Sequence, residues 1–413
     1  MMKKIWLLFS VLVLTAALNA QTFKVKTGID VLKDRNFDIL KGKRVGLITN
    51  PTGVDQRLRS TIDILFSAPG VKLVALYGPE HGVRGDFSAG EHVDSYTDPV
   101  TNLPVYSLYG KTRKPTPEML KDIDVLVYDI QDNGCRSYTY ISTMGVAMEA
   151  AAENNKEFVV LDRPNPLTGL KVEGNVVEDG FISFVSQFKV PYVYGLTCGE
   201  LAKLINNEGM LKDGIECKLT VVPMKGWKRS MSFEDTGLLW VPSSPHIPHK
   251  DTPEYYVATG VMGELGTVSE GVGYTIPFQT FAAEWIDGKK LADKMNALGL
   301  EGVLFRPMTF KPFYGANANK ELHGVEIHLW DMKKVNLLSL QFLFMQVNNE
   351  LYPDKNPFEM AKKDRINFFD KVAGTDKVRK IFTEHMRYSD VKPFLDKDIE
   401  SFKKLSKKYY LYR

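Results

Sequence analysis

The sequence predicts an α/β protein with a Rossmann-like, doubly wound and mainly parallel sheet, followed by a second, smaller α+β domain. In the first half, short runs rich in Val, Ile and Leu alternate with segments whose apolar residues recur at helical spacing. This alternation of strand and helix is typical of parallel sheets. The length of 413 residues also exceeds what one hydrophobic core usually supports, which favours more than one domain.

The elements of the first half follow one another in a regular order. Buried strands are predicted at residues 44–49, 71–77, 124–130 and 157–161, with a further strand at 217–223. Helices are predicted between the first four strands, at residues 59–67, 116–121 and 140–154. Each helix thus connects two strands, which is the connection that a parallel sheet requires.

The second half has a less regular pattern. Irregular loops are predicted at residues 243–249 and 262–274, a strand at 324–330, and helices at 337–351 and 399–408. We therefore predict a Rossmann-like catalytic domain at residues 21–270. An α+β domain at residues 271–413 is predicted to complete a cleft with it.

Residues 1–20 have the features of a secretory signal peptide. Lys3 and Lys4 precede an apolar stretch that ends at residue 18, and Ala20 precedes the predicted cut. The stretch is shorter than the roughly 20 apolar residues that span a bilayer. We expect export to the periplasm or the extracellular space, with no stable membrane insertion after cleavage.

The charge and the cysteines exclude other classes of protein. The formal net charge is +3 and falls to about +1 without the predicted signal peptide, so no electrostatic feature indicates nucleic acid as a partner. The three cysteines have no metal-type spacing, and their odd number does not indicate a disulfide framework.

Polar side chains follow each of the first four predicted strands. In chain order they are Asn50 and Thr52, then Glu80, His81 and Arg84, then Asp129, Gln131, Asp132 and Arg136, then Asp162, Arg163 and Asn165. Any one of these clusters could be turn chemistry alone. Because the carboxyl ends of parallel strands meet at one edge of a sheet, four clusters together predict a functional site there.

Two kinds of site with a bound group find little support. Gly271 and Gly273 do not form a dinucleotide fingerprint, because no third glycine opens a helix after them. Two groups could hold a metal, namely Glu80, His81, Asp86 and His92, or His246 and His249, but neither matches a familiar ligand pattern. We therefore predict neither a metal nor another cofactor.

Acid/base chemistry by a carboxylate remains. Glu80 follows an apolar strand, and partial desolvation there would raise its proton affinity, as a general acid at a glycosidic bond requires. His81 is assigned with Glu80 to the catalytic group, as a hydrogen-bonding residue that orients it.

Five segments resemble one known family, the exo-acting β-N-acetylmuramidases. These segments are residues 46–53, 78–86, 103–110, 129–132 and 161–166, and the resemblance extends from about residue 25 to the C-terminus. It implies a glycosidase with a Rossmann-like N-terminal domain, a smaller C-terminal domain and a cleft between them. Such enzymes remove N-acetylmuramic acid from the non-reducing end of peptidoglycan fragments. The family's catalytic glutamate lies in a Pro-Glu-His-Gly motif, which here contains Glu80.

Three segments depart from the family pattern. Residues 269–274 have Val272 and Tyr274 where the family usually has arginine and threonine, residues 244–248 have His246 in place of asparagine, and residues 194–197 begin with tyrosine instead of histidine. We expect these changes to alter the wall that contacts the substrate.

The remaining roles follow from the expected substrate. The second catalytic group could be Asp129, Asp132, Asp162 or Glu270, or the substrate's own 2-acetamido oxygen. Arg84, Arg136 and Arg163 could pair with the lactyl carboxylate of the sugar, and Tyr138 could stack on its ring. Asn50, Thr52, Gln131, Asp162 and Asn165 complete the predicted substrate-binding set. Two other functions stay open: a non-catalytic periplasmic muropeptide-binding protein and a metal-dependent hydrolase.

Overall fold

The structure is a computed structural model that describes residues 23–85, 95–315 and 317–413. The predicted signal peptide at residues 1–20 lies outside these residues. So do Asp86 and His92, two of the candidate metal ligands.

A seven-stranded sheet forms the centre of the first domain. Its strands are β1 (Arg44–Thr49), β2 (Lys72–Gly78), β3 (Tyr96–Thr97), β4 (Pro104–Ser107), β5 (Val125–Asp129), β6 (Glu157–Leu161) and β7 (Lys218–Val222). The strand order is β3-β4-β2-β1-β5-β6-β7, and every neighbouring pair is parallel except β3 with β4. The predicted mainly parallel sheet is therefore confirmed, and β1 and β6 have the predicted bounds.

Helices cover both faces of this sheet. They are α1 (Gly28–Asp34), α2 (Thr61–Ser67), α3 (Pro117–Leu120), α4 (Tyr140–Glu153) and α5 (Cys198–Asn207). Leu47 of β1 packs with Ile62 of α2 on one face, whereas its neighbour Ile48 packs with Met144 of α4 on the other. Successive strand residues thus point into two separate cores, which confirms the doubly wound arrangement.

A second, smaller domain is built on a three-stranded antiparallel sheet. Its strands are β8 (Thr280–Ala283), β9 (Val303–Phe310) and β10 (Leu322–Leu329), in the order β8-β10-β9. The remaining helices are α6 (Thr252–Gly263), α7 (Gly288–Ala297), α8 (Ser339–Leu351), α9 (Pro357–Met360), α10 (Lys363–Ala373), α11 (Lys377–His385), α12 (Tyr388–Asp396) and α13 (Ile399–Ser406). The strand predicted at 324–330 and the helices predicted at 337–351 and 399–408 are confirmed. The predicted boundary near residue 270 lies between β7 and β8 and stays a prediction.

Two further findings concern membrane-spanning helices and disulfide bonds. None of the helices in the described ranges is long and apolar enough to cross a bilayer. Cys135, Cys198 and Cys217 are all buried free thiols.

A buried arginine joins the two domains. Arg136 follows β5 and has no exposed surface. Its Nη1 donates to the carbonyl oxygens of Asn175 and Val190, both at 2.8 Å, and its Nη2 donates to those of Val372 at 3.1 Å and Ala373 at 2.9 Å. The last two carbonyls end α10, where helical carbonyls lack partners within the helix and where a cation is favoured. Burial lowers the pKa of Arg136 to about 10, so the side chain remains charged at neutral pH.

We predict that Arg136→Met destabilises the protein strongly. The substitution removes this donor from four buried carbonyl oxygens, of which those of Val372 and Ala373 keep only Ser186 and Asn175, and such a loss costs about 3 kcal/mol or more. Urea unfolding would measure the change in the free energy of unfolding. Arg306→Met is the matched control, because Arg306 forms an exposed ion pair with Glu326 that contributes at most about 1 kcal/mol. A change below about 1 kcal/mol for Arg136→Met would contradict the proposed joining role.

Candidate active site

Glu80 lies at the edge of the sheet where the strands end. It follows β2, in a turn where His81 has a φ of 74° and Gly82 a φ of 73°. This left-handed conformation is unusual for a residue with a side chain and costs on the order of 1–3 kcal/mol. Gly78 allows the turn to fold back closely, because a Cβ there would lie 3.3 Å from the Cα of Gly82. The backbone thus fixes Glu80 in a position that a relaxed chain would not favour.

A cavity of about 580 Å³ opens beside this turn. The first half of the chain contributes Glu80, His81, Tyr109, Arg113, Ser137, Tyr138, Tyr140 and Phe184 to its wall. The second half contributes His246, Tyr256, Glu264, Phe278, Phe368 and Lys371. The cavity therefore lies where the two domains meet. Its volume is typical of sites that take a small molecule.

Glu80 lies among tyrosine and histidine side chains. Burial, together with the nearby Glu80 carboxylate, raises the pKa of Tyr109 to about 12. Burial also lowers the pKa of His246, an effect that nearby His81 reinforces and Glu80 opposes. At neutral pH Tyr109 and His246 are therefore uncharged neighbours of the Glu80 carboxyl.

Tyr138, which was predicted to stack on a sugar, and its neighbour Tyr140 are held by hydrogen bonds and ring contacts. The Tyr138 hydroxyl donates to Oγ of Ser243 at 2.8 Å, and the Tyr140 hydroxyl donates to the Ser243 carbonyl at 2.6 Å. The two rings pack edge to face with centroids 5.0 Å apart, and Tyr256 packs against Tyr138 in the same way at 5.8 Å. These rings form a rigid part of the cavity wall.

Glu264 is a cavity residue that sequence reasoning missed. Its side chain is 29% exposed and lies 3.7 Å from Arg365. Burial nevertheless raises its pKa to about 7, reinforced by Glu270 and opposed by Arg365. It follows α6 in the same glycine-rich segment as Glu270, but no spacing in the sequence distinguishes it.

Glu270 lies next to this carboxyl but outside the cavity wall. A Cβ on Gly263 would lie 3.2 Å from Cδ of Glu270, so the glycine leaves room for the carboxyl against the end of α6. Burial raises the pKa of Glu270 to about 7 as well. The two carboxyls therefore disfavour each other's charge.

The three candidate aspartates are engaged by protein groups and do not line the cavity. Asp129 accepts from Arg163 and from Thr61. Asp132 accepts from the amide of Gly134 at 2.8 Å and from the Tyr194 hydroxyl. Burial raises the pKa of Asp132 to about 6.

Asp162 is the third of these aspartates. It accepts from the Gly199 amide at 2.8 Å, from Thr197 Oγ1 at 2.7 Å and from the Tyr412 hydroxyl. Burial raises its pKa to about 6. Its oxygens thus connect β6 to the start of α5 and to the end of the chain.

The three predicted substrate-binding arginines also have protein partners. Arg84 donates to Asp98 with Nε at 2.6 Å and Nη2 at 3.0 Å. Arg163 donates to Asp129 with Nε at 2.5 Å and Nη2 at 2.9 Å. Arg136 binds backbone carbonyls, as described above. The arginine and lysine that line the cavity are Arg113 and Lys371.

The predicted amide and hydroxyl residues connect neighbouring loops. Asn50 accepts from the amide and hydroxyl of Thr52, whose Oγ1 accepts in turn from the Gln131 amide at 2.8 Å. Gln131 Nε2 donates to the Pro164 carbonyl at 2.7 Å, and Asn165 Nδ2 donates to that of Leu196 at 2.8 Å.

A second, separate space of about 20 Å³ lies beside these loops. Thr52, Gln131 and Arg163 contribute to its wall. It has room for about one water molecule. Of the predicted site residues, the structure therefore brings Glu80, His81 and Tyr138 together in the large cavity. The others lie outside its wall, in neighbouring loops and, for Glu270, in the segment after α6.

The structure offers one observation on metals. In the ranges 23–85, 95–315 and 317–413, no group of three or more His, Cys, Asp or Glu side chains is arranged to hold a metal ion. The absence of a metal requirement stays a prediction.

Comparisons with known proteins place the chain in a family. The model described as exo-β-N-acetylmuramidase NamZ, N-terminal, matches residues 45–251, and the C-terminal model of the same name matches residues 254–412. Peptidoglycan β-N-acetylmuramidase NamZ of Bacillus subtilis (strain 168) is 45% identical over 389 residues, covering 94% of this chain and 92% of the relative.

Two solved structures from Bacteroides fragilis NCTC 9343 are similar throughout, both described as DUF1343 family proteins. One has a TM-score of 0.91 at 62% identity and covers 95% of this chain and 100% of its own. The other has a TM-score of 0.75 at 30% identity and covers 94% of this chain and 99% of its own. Since the two family models together match most of its length, the chain belongs to the NamZ family of exo-β-N-acetylmuramidases.

Proposed function

We propose that this protein is an exo-acting glycoside hydrolase that releases N-acetylmuramic acid from the non-reducing end of peptidoglycan fragments. The observation that carries the proposal is Glu80, held by a constrained turn in the wall of a cavity to which both domains contribute. The Bacillus subtilis relative, a peptidoglycan β-N-acetylmuramidase, supports the same substrate class.

The shape of the site agrees with exo action. An exo-acting glycosidase needs a pocket for one terminal sugar, whereas an endo-acting enzyme needs a groove open at both ends. A cavity between two domains, walled by packed tyrosine and phenylalanine rings, provides such a pocket. Aromatic walls also suit the apolar faces of a sugar ring.

Glu80 is proposed as the acid/base residue. Breaking a glycosidic bond requires a proton for the leaving oxygen, and a positioned carboxyl supplies it. Tyr109, which lies beside the carboxyl in the cavity wall, is proposed to orient it. The neighbouring His81 is proposed to help fix that orientation.

Glu264 is proposed as the second carboxyl of the site. It shares the cavity wall with Glu80, whereas Asp129, Asp132 and Asp162 lie outside that wall. With a pKa of about 7, Glu264 is largely protonated in mildly acidic solution and can then donate a hydrogen bond to an oxygen of the bound sugar. The anomeric carbon could then be attacked by water or by the sugar's own 2-acetamido oxygen.

A single assay separates this function from the two open alternatives. The purified protein is incubated with a chromogenic β-N-acetylmuramide, with and without a chelator. We expect release of the chromophore at the same rate in both samples. Binding of the glycoside without turnover would instead support a muropeptide-binding protein. Activity that chelation removes and a divalent ion restores would support a metal-dependent hydrolase.

The protein is also proposed to act after export. The basic residues Lys3 and Lys4, the short apolar stretch and Ala20 support this proposal. Mass spectrometry of the mature protein from its source cells should give a chain that begins near Gln21. Recovery of the chain with residues 1–20 intact would contradict it.

We predict that Glu80→Gln lowers turnover about 10²- to 10⁴-fold, because an amide of equal shape cannot transfer the proton. The measurement is kcat on the chromogenic β-N-acetylmuramide. Glu157→Gln is the control, since Glu157 forms its ion pairs with Lys43 and Lys218 at the opposite end of the sheet. A Glu80→Gln variant that keeps more than about a tenth of the wild-type rate would remove this residue from the proposed role.

We further predict that kcat/KM falls as the pH rises through about 7. Burial raises the pKa of Glu264 to about 7, so the carboxyl is protonated below this pH and charged above it. If the protonated form is the active one, activity is lost on the alkaline side. Glu264→Gln stays neutral at every pH, so its profile should lack this alkaline limb. The assignment fails if the limb persists unchanged in the variant.

A further inference from the structure

We infer that Arg113 and Lys371 form a carboxylate subsite in the cavity, where they hold the lactyl carboxylate of N-acetylmuramic acid. The inference rests on the proposed function and names the residues that select its substrate. The sequence had indicated three other arginines for this role, all of which follow strands of the first sheet.

Those three arginines have little capacity left for a ligand. Arg84 and Arg163 each form two hydrogen bonds to an aspartate, and Arg136 is fully buried among carbonyl oxygens. A substrate carboxylate would have to displace a partner that already satisfies the guanidinium. Such an exchange gains little free energy.

Arg113 differs from these three arginines in its position and in its exposure. It lies in the segment between β4 and α3, on the cavity wall, and its side chain is accessible. Its guanidinium carbon lies 4.4 Å from the centroid of the Phe184 ring. Contact with the ring face holds the guanidinium while its N–H edges stay able to bind a carboxylate through two parallel hydrogen bonds.

The position of Arg113 relative to Glu80 fits the substrate. Arg113, Tyr109 and Glu80 all contribute to the wall of the same cavity. In N-acetylmuramic acid the lactyl group is on C3 of the same ring whose C1 carries the bond to be broken. A cation and an acid within reach of one sugar ring match this geometry.

Lys371 supplies the second charge from the other domain. It lies in the last turn of α10 and contributes to the cavity wall. A lysine adds a flexible point charge rather than a fixed pair of donors. We therefore assign the directional contact to Arg113 and a supporting electrostatic role to Lys371.

The experiment compares two chromogenic glycosides that differ in the lactyl group, a β-N-acetylmuramide and a β-N-acetylglucosaminide. The wild-type protein should prefer the muramide by tenfold or more in kcat/KM, because the glucosaminide leaves the cation unpaired. Arg113→Ala should lower this ratio at least tenfold. Arg113→Lys should keep a larger ratio than Arg113→Ala, because lysine keeps the charge but lacks the paired N–H donors of the guanidinium. Lys371→Ala should lower it by a smaller factor.

A third glycoside tests the charge itself. In a muramide whose lactyl carboxylate is converted to the primary amide, size is conserved and the negative charge is removed. The kcat/KM of the wild-type protein for this amide should fall to about the value that Arg113→Ala shows for the muramide. Lys111→Ala is the matched control variant, because Lys111 is exposed in the same segment but is not part of the cavity wall. Its ratio should equal that of the wild type.

The outcomes separate the subsite from the proposed function. Turnover of the muramide by the wild type, with a ratio that Arg113→Ala leaves unchanged, overturns the subsite and leaves the function standing. Arg113 would then only pack against Phe184. A wild-type protein that binds or cleaves neither glycoside overturns the function and the subsite together. Thermal unfolding of Arg113→Ala at the wild-type temperature confirms that a lower ratio does not come from misfolding.

Discussion

The geometry of the cavity depends on the buried guanidinium of Arg136. It is the donor for the carbonyl oxygens at the end of α10, and it belongs to the segment that follows β5 in the first sheet. Lys371 lies in that same last turn. The side chain that bonds the end of α10 to the first domain therefore lies beside one wall of the pocket. Burying a charge without a carboxylate partner is costly. The four carbonyl oxygens that accept from Arg136 offset this cost.

The polar residues at the carboxyl edge of the sheet mainly connect loops to one another through hydrogen bonds and ion pairs. Asp129 with Arg163, and Asp162 with Thr197 and Tyr412, connect the ends of β5 and β6 to distant segments. These contacts are buried, and each oxygen has a defined donor. The rigid edge that results lets the turn around Glu80 keep a strained backbone at His81. The connecting contacts and the proposed acid/base residue thus occupy the same edge, with Glu80 at the end of β2.

Local pattern explains which parts of the fold the sequence predicted. The strands at 44–49 and 157–161 are buried on both faces, so they are continuous apolar runs that flanking polar residues delimit. β9 was missed because Pro307 interrupts it, which an edge strand tolerates. α5 was missed although Thr197 and Glu200 form a capping box whose Thr-x-x-Glu spacing is visible in the sequence.

The candidate site could be predicted from the sequence only in part, for the same reason. Glu80 stands in a motif next to a strand end, so its position follows from the chain nearby. Arg113 and Glu264 are separated from it by long stretches of sequence, and only the tertiary fold brings them to one cavity. The charge partners of Arg84 and Arg163 are likewise long-range contacts. A sequence lists which side chains could bind a ligand but not which of them are already satisfied.

Helix α13 and the residues that follow it affect the order in which the two hydrophobic cores can form. Phe402 and Tyr409 pack into the same core as α4 and α5, and the Tyr412 hydroxyl binds Asp162 at the end of β6. The core of the first domain therefore combines early and late segments, with most of the second domain between them in the sequence. It reaches native packing only when Phe402 and Tyr409 are available, whereas the core around α8 and β10 needs no later segment than α12. The domain that carries Glu80 thus depends for its closure on residues that lie far apart in the sequence.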